Sequence, residues 1–241
     1  MIKKSFLIFL CLLLLSAFEG LYAGGLQINY QSIRQSGMGH VGIGLSLDAS
    51  SIFFNPGSLA MNYKGGILLG SSVLSPKIQY AGDYFAETDS VIFTPIYLYA
   101  AFKGKEGSFL ERFSFGISLN NPFGGTVKWQ DDWNARNISQ EFSLNTFFIQ
   151  PTIAFKLTEN IGIGAGLSYG ITNLLSRRVF NQIVDGSVQY TGAGISLGFN
   201  LGIFAQATPE ISIGLSFRSK LEVGIKDGEV QFSDVDALTD L

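Results

Sequence analysis

The feature that most constrains this chain is a two-residue alternation, repeated many times, of apolar with small or polar residues. Ile161, Ile163, Ala165, Leu167, Tyr169 and Ile171 alternate with Gly162, Gly164, Gly166, Ser168, Gly170 and Thr172. Ile195, Leu197, Phe199, Leu201 and Ile203 alternate with Ser196, Gly198, Asn200 and Gly202. Ile211, Ile213, Leu215 and Phe217 alternate with Ser212, Gly214, Ser216 and Arg218, and Phe113, Phe115, Ile117 and Leu119 with Ser114, Gly116 and Ser118. Side chains of a strand point to opposite faces in turn, so each run carries one full apolar row and one small row. A helix has no use for this period. Seven strands are expected, over residues 64–81, 89–103, 111–121, 140–156, 161–181, 187–207 and 211–226. Several exceed the ~5–6 residues of a globular strand, and even the ~9–11 of a minimal membrane strand.

Two architectures accept such strands, a secreted β-sandwich and a membrane β-barrel. A sandwich core draws bulky residues from both of its sheets. Here the second row is Gly and Ser, which suits a barrel interior packed against a plug, because Gly inside a strand marks the close approach of another backbone. Charged residues make up only 15% of the chain, against roughly 25% in soluble domains. No apolar run reaches the ~18–20 residues of a spanning helix. Tight turns at 158–160 and 208–210 contrast with a long connection at 121–139, the asymmetry of outer-membrane barrels. The reading is therefore all-β, a transmembrane antiparallel barrel. The alternative is a secreted or surface β-protein used structurally or in adhesion. A net charge of −3 gives no footprint for nucleic acid.

Residues 1–23 have the pattern of a secretory signal, with Lys3 and Lys4 before an apolar stretch from Phe6 to Leu15 that is too short to span. Cys11, the single Cys, lies inside it, so the exported chain is expected to have neither thiol nor disulfide. Residues 24–60 then form neither a strand nor a good helix, since Gly37, Gly39, Gly42 and Gly44 each cost a helix about 1 kcal/mol relative to Ala. Such a segment must be held by what surrounds it, and the strands are what is available.

This segment resembles the N-terminal hatch of the FadL-type outer-membrane transporters of long-chain fatty acids and aromatic hydrocarbons. The resemblance is carried by Gly25-Leu26-Gln27-Ile28-Asn29, by Gly37-Met38-Gly39, and by the stretch from Asp48 to Ala60 that contains Phe53, Phe54, Asn55 and Pro56. Where the family pattern has Asn-Pro-Ala, this chain has Asn55-Pro56-Gly57. The resemblance extends to about Asp227 and matches only the N-terminal half of a family member. It implies a signal at 1–23, a hatch at 24–62 inside the lumen, and a partial barrel at 63–241 with about half the family's strands. It implies residence in the Gram-negative outer membrane, lipid around the wall, a monomer at full length, and passive uptake of a hydrophobic ligand without cofactor or catalysis. It also implies sideways exit through a gap at a kinked strand, assigned to 111–121. The acidic tail from Ser233, ending without a terminal aromatic residue, fits a truncated transporter.

Several further motifs have simpler accounts. The G-x-G-x-x-G of Gly37 to Gly42 lacks the preceding strand of a dinucleotide site. The G-x-S-x-G of Gly194 to Gly198 lies in mid-strand, where no nucleophile elbow forms. His40 is the only His, which leaves a lipid hydrolase just one possible base and gives no cluster for a transition metal. Trp129 and Trp133 are read either as an aromatic girdle with a polar loop or as a capture site for apolar ligands. The family-like segment Asn121-Pro122-Phe123-Gly124 favours capture. Arg178 is assigned by resemblance to a ligand carboxylate, a role that suits the planar guanidinium. Asn55-Pro56 also has a local reading, as a turn that wedges Phe53, Phe54 and Leu59 into the lumen.

Overall fold

The computed structural model describes residues 26–61, 65–180 and 186–233. The proposed signal, the proposed hatch residue Gly25 and the acidic tail lie outside the described residues. Eleven strands are present among those described: β1 (Gly66–Ser71), β2 (Gln79–Ala81), β3 (Phe85–Glu87), β4 (Ile96–Lys103), β5 (Phe113–Asn120), β6 (Gly124–Lys128), β7 (Glu141–Lys156), β8 (Ile161–Val179), β9 (Ser187–Gln206), β10 (Ser212–Arg218) and β11 (Gly224–Ser233). All but β2 and β3 form one sheet, in the order β1-β4-β5-β7-β8-β9-β10, with β6 also on β7 and β11 also on β9. Every pairing is antiparallel.

The long strands fall close to the predicted runs, and the departures have a common cause. Residues 64–81 and 89–103 do not form two unbroken strands. Leu74 and Phe93 still bridge, but the chain then leaves the wall as the separate β2–β3 hairpin. The predicted loop at 121–139 begins with a strand, β6, which sits on the same side of β7 as β5 does. β5 pairs with residues 148–155 and β6 with 141–145, so residues 121–123 face only Thr146 and Phe147. One residue too many on one side is a bulge, which bends the strand. The last predicted run is likewise split. β10 pairs with residues 200–206 of β9 and β11 with 187–195, leaving residues 219–223 bowed out. The alternating pattern marks the strands but not the interruptions within them.

The two rows separate as expected. Along β9 the odd residues from Ile195 to Ile203 are 44–64% exposed, while Asn200 and Phe204 are buried. The same apolar outer row continues as Ile213, Leu215 and Phe217 on β10, and as Leu167, Tyr169 and Ile171 on β8. From Ala193 to Ala205 that row spans roughly 40 Å of strand, or about 28 Å once tilted, close to the apolar band of a membrane barrel.

The inner row carries residues 26–61. This segment has two short helices, α1 (Ile33–Gly37) and α2 (Ser51–Phe54), and 3-10 turns at Val41–Ile43 and Pro56–Ala60. Ser32 caps α1, its Oγ accepting from the Gln35 N–H. Asn55 caps the Pro56–Ala60 turn, with Pro56 at its start, where a missing N–H costs nothing. Ile52, Leu59 and Ala60 pack with Tyr97, Tyr99 and Ala101 of β4 in the buried apolar cluster. The Pro56–Ala60 turn lies across β7, β8 and β9.

The wall glycines make this possible. A Cβ on Gly202 would stand 2.1 Å from Asn55 Oδ1, one on Gly162 2.3 Å from the Gly57 carbonyl oxygen, and one on Gly164 2.5 Å from the Pro56 carbonyl. Gly202→Ala should therefore cost about 1–3 kcal/mol through forced displacement of the turn. Gly224→Ala, where a Cβ meets nothing within 4 Å, should stay within about 0.5 kcal/mol. Denaturant midpoints of the two variants, followed by gel mobility without boiling, check the contrast.

Candidate functional site

The site is built where the N-terminal segment meets the interrupted wall. At the β5–β6 bulge, β7 cannot saturate residues 121–123, and the segment supplies bonds in its place. The Ile28 N–H donates to the Pro122 carbonyl at 2.9 Å, and the Gly124 N–H to Leu26 at 3.0 Å. Gln27 and Phe123 form an antiparallel bridge. Buried amides complete the arrangement. Gln31 donates to the Asn121 carbonyl at 2.6 Å and accepts from Asn120 at 2.7 Å, while Asn121 accepts from the Ile96 N–H at 3.0 Å. Thr146 Oγ1 donates to the Phe123 carbonyl. In a space that excludes water each of these groups needs a partner.

Deeper in, Asn55 is wholly buried. Its amide donates to the Ile43 carbonyl at 2.7 Å and the Ile203 carbonyl at 3.0 Å, and its oxygen accepts from the Gly57 N–H at 2.9 Å. Gln150 and Asn200 both donate to the Ile52 carbonyl, at 2.7 and 3.1 Å. Arg218 of β10 donates to the Phe53 carbonyl at 2.7 Å and lies 4.0 Å over its ring. These contacts tie α2 and the following turn to the wall. They leave Leu26 to Asn29 held mainly at the bulge.

Two cavities flank those residues. The first, about 700 Å³, lies between Leu26 to Tyr30 and a wall made by Leu74, Ile78, Phe93, Val127 and Phe142. Among the described residues, no Asp, Glu, Lys or Arg lines it. The second, about 460 Å³, is lined by Phe53, Phe54, Phe123 and Ile43, with Arg218 as its one charged side chain among the described residues. Gln27, Ile28, Asn29 and His40 border both and so form the partition between them.

Above the first cavity the β2–β3 hairpin meets the connection after β6. Trp129 and Trp133 stack with ring centres 4.0 Å apart, and Tyr80 and Tyr84 approach Trp133 at 5.5 and 5.7 Å. Thr88, which bridges to Trp129, also lines the first cavity. Glu87 at the hairpin's end is held below the ordinary carboxylate value, chiefly by its hydrogen bond from Lys77.

The residues singled out in the sequence are distributed as follows. Gln27, Asn29, Phe53, Phe54 and Phe123 line one or both cavities. Asn55 and Pro56 are in the buried turn. Gly37 and Gly39 are exposed, and a Cβ on either meets nothing within 4 Å. Neither glycine packs tightly against the wall. Such packing is made at Gly57, where a Cβ would stand 2.6 Å from the Gly202 carbonyl oxygen. Gly39 serves the turn itself, with φ +70°, and is followed by His40 at φ 61°. Arg178 is exposed near the end of β8 and borders neither cavity; its neighbour Arg177 faces Glu141 at 3.6 Å. Arg218, Tyr80 and Tyr84 are not among the residues that the sequence singles out. Arg218 had a signal, as the one cation in the otherwise small row of residues 212–218, whereas Tyr80 lay near the end of a run read as plain strand and Tyr84 in the turn between two such runs.

The family model described as outer membrane protein transport protein (OMPP1/FadL/TodX) matches residues 15–239. The chain belongs to this family. Its members reside in the Gram-negative outer membrane, and the open antiparallel sheet is a stretch of their barrel wall. Among solved structures, a Pseudomonas aeruginosa FadL homologue is similar at TM-score 0.66 and 16% identity, covering 90% of this chain and 59% of that one. The Ralstonia pickettii toluene transporter TbuX is similar at TM-score 0.69 and 15% identity, with 84% and 61% covered. The P. putida toluene transporter TodX gives TM-score 0.59 and 14% identity, with 76% and 56% covered. The chain thus spans about three fifths of the length of these family structures. No curated protein matches.

Asn55→Ala would leave the Ile43 carbonyl without its side-chain donor and remove the cap of the 3-10 turn. The expected loss is about 1–3 kcal/mol. Limited proteolysis should then cut within residues 40–61 while the strands stay protected, and equal protection of both would contradict the anchoring role.

Proposed function

We propose that this chain belongs to a passive uptake route for hydrophobic molecules, with residues 1–23 as the export signal, 24–62 as the hatch and 63–241 as part of the barrel. The observation that carries the reading is the first cavity. Among the described residues it carries no Asp, Glu, Lys or Arg, its far wall presents Leu74, Ile78, Phe93, Val127 and Phe142, and it is closed on one side by Leu26 to Asn29. These residues are themselves bonded to the wall's bulge. A greasy molecule gains about 25 cal/mol for each Å² of apolar surface it removes from water. It is captured at the stacked Trp129 and Trp133, enters the first cavity, and displaces the partition of Gln27, Ile28 and Asn29. Displacement breaks the bonds to Pro122 and Gly124, which opens the wall sideways at residues 121–123 and lets the cargo leave without crossing water. Neither cofactor nor catalysis is needed. The toluene carried by the similar TbuX and TodX transporters and long-chain fatty acids are the two cargo classes considered.

A carboxylate cargo needs a cation. Arg178 at the loop end of β8 meets it on approach, and Arg218 at the second cavity meets it after the partition has moved. Arg178→Ala should lower uptake of a long-chain acid about tenfold and leave toluene uptake unchanged. Equal loss for both would end the carboxylate role. Thr126→Trp, which fills the first cavity, should lower uptake of both cargoes by about tenfold or more. Unchanged uptake by radiolabel accumulation in cells producing this variant would exclude the cavity from the path.

A further inference from the structure

The outer face of the wall carries a groove that the uptake route does not use. It is about 550 Å³, lies on β5, β7 and β8, and is lined by Phe115, Pro151, Ile153, Ala165 and Leu167. The outward row places Pro151 and Ala165 between larger neighbours, and Gly116 and Gly166 underlie them. The ladder is also interrupted here, with no register pairs between Ile149↔Tyr169 and Thr152↔Gly166. Proline cannot donate to the ladder.

The groove leads to the short-turn end of the wall. Two residues beyond Ile153, about 7 Å further along the same row, Phe155 meets Phe113 in a tilted pair with ring centres 4.9 Å apart. The Arg112 guanidinium lies 5.2 Å over the Phe155 ring. Arg112 and Lys156 are adjacent, since the Lys156 N–H donates to the Arg112 carbonyl at 2.8 Å. With Lys103 they border a cavity of about 570 Å³ whose anions are Glu111 and Glu159. Lys156 is paired with Glu159 at 2.5 Å, but that carboxylate is 88% exposed, and such a pair contributes little against a competing anion. Phe109, 84% exposed, projects beside it. Apolar rings, cations and a greasy trough therefore follow one another from the edge of the membrane inward.

We propose that this surface binds a glycerophospholipid of the periplasmic leaflet, its phosphate between Arg112 and Lys156 and one acyl chain in the groove. Short turns mark the periplasmic end of an outer-membrane barrel. A guanidinium and an ammonium together match a phosphate monoanion. The groove's lining offers a chain no polar competitor other than Thr152.

Native mass spectrometry of the detergent-purified full chain tests this, with phosphatidylglycerol or the chain-matched diacylglycerol added. Phosphatidylglycerol should be retained about fivefold better than diacylglycerol, and Arg112→Ala with Lys156→Ala should abolish the difference. Ala165→Leu leaves the cations in place and fills the groove, so it should lower retention of both lipids. A wild-type ratio near one, or a ratio unchanged by the double substitution, would overturn the phosphate site. Unchanged retention in Ala165→Leu would overturn the chain site, and that variant, altered only on the membrane face, decides the matter if the double variant does not fold. Uptake of hydrophobic cargo is not the readout, so failure here leaves the uptake reading standing.

Discussion

The structure depends on backbone meeting backbone at the turn formed by Asn55, Pro56 and Gly57. Gly57 stands against carbonyls of both Gly162 and Gly202, and Pro56 lies over Gly164. A wall with alanines in that row would hold the segment farther out. The hydrogen bonds from Asn55, Gln150 and Asn200 to main-chain carbonyls would then be too long. Once the turn is seated, the positions of α2, the buried apolar cluster and the partition between the cavities follow from it.

The same contact explains a local departure. Gly57 occupies a place where the family pattern carries alanine. A Cβ there would meet the Gly202 carbonyl carbon at 2.8 Å and the Gly162 carbonyl oxygen at 2.9 Å. Backbone atoms of two central strands have little room to yield, so the smaller residue belongs to this particular wall. The segment is fastened firmly at its far end and lightly at its start. At the far end Asn55, Gln150, Asn200 and Arg218 tie α2 and the turn after it to the wall; at the start Leu26 to Ile28 rely on main-chain bonds to a bulge. Movement is therefore expected at the start, where local opening breaks the fewest buried contacts.

Much of this was legible in the sequence. The period of two gave β5, β7, β8 and β9 and told the outer row from the inner one. The Gly content of the inner row announced a close backbone neighbour. The interruptions were not legible. Residues 121–123 and 219–223 keep suitable strand composition, and their bulges arise from register against β7 and β9, a property of pairs of strands. The β2–β3 hairpin was hidden for a similar reason, because Tyr80 and Phe85 have strand propensity whether or not they stay in the wall. Of the cavity-lining residues, Gln27, Asn29, Phe53, Phe54 and Phe123 came from the resemblance. Arg218 could have been found from charge alone, as a cation at a small-residue position.

The division of the wall into two rows has a consequence for how such a chain changes over generations. On the outward row any bulky apolar residue serves nearly as well as another, so Ile, Leu, Phe and Val can replace one another with little penalty. On the inward row beneath the turn, only the smallest residue fits. Most positions are thus free to drift, and a few are locked together across strands distant in sequence. Identity of 14–16% beside TM-scores of 0.59–0.69 is the outcome such a rule would leave behind. A change at residue 57 would have to arrive with compensating movement of the strands that carry residues 162 and 202.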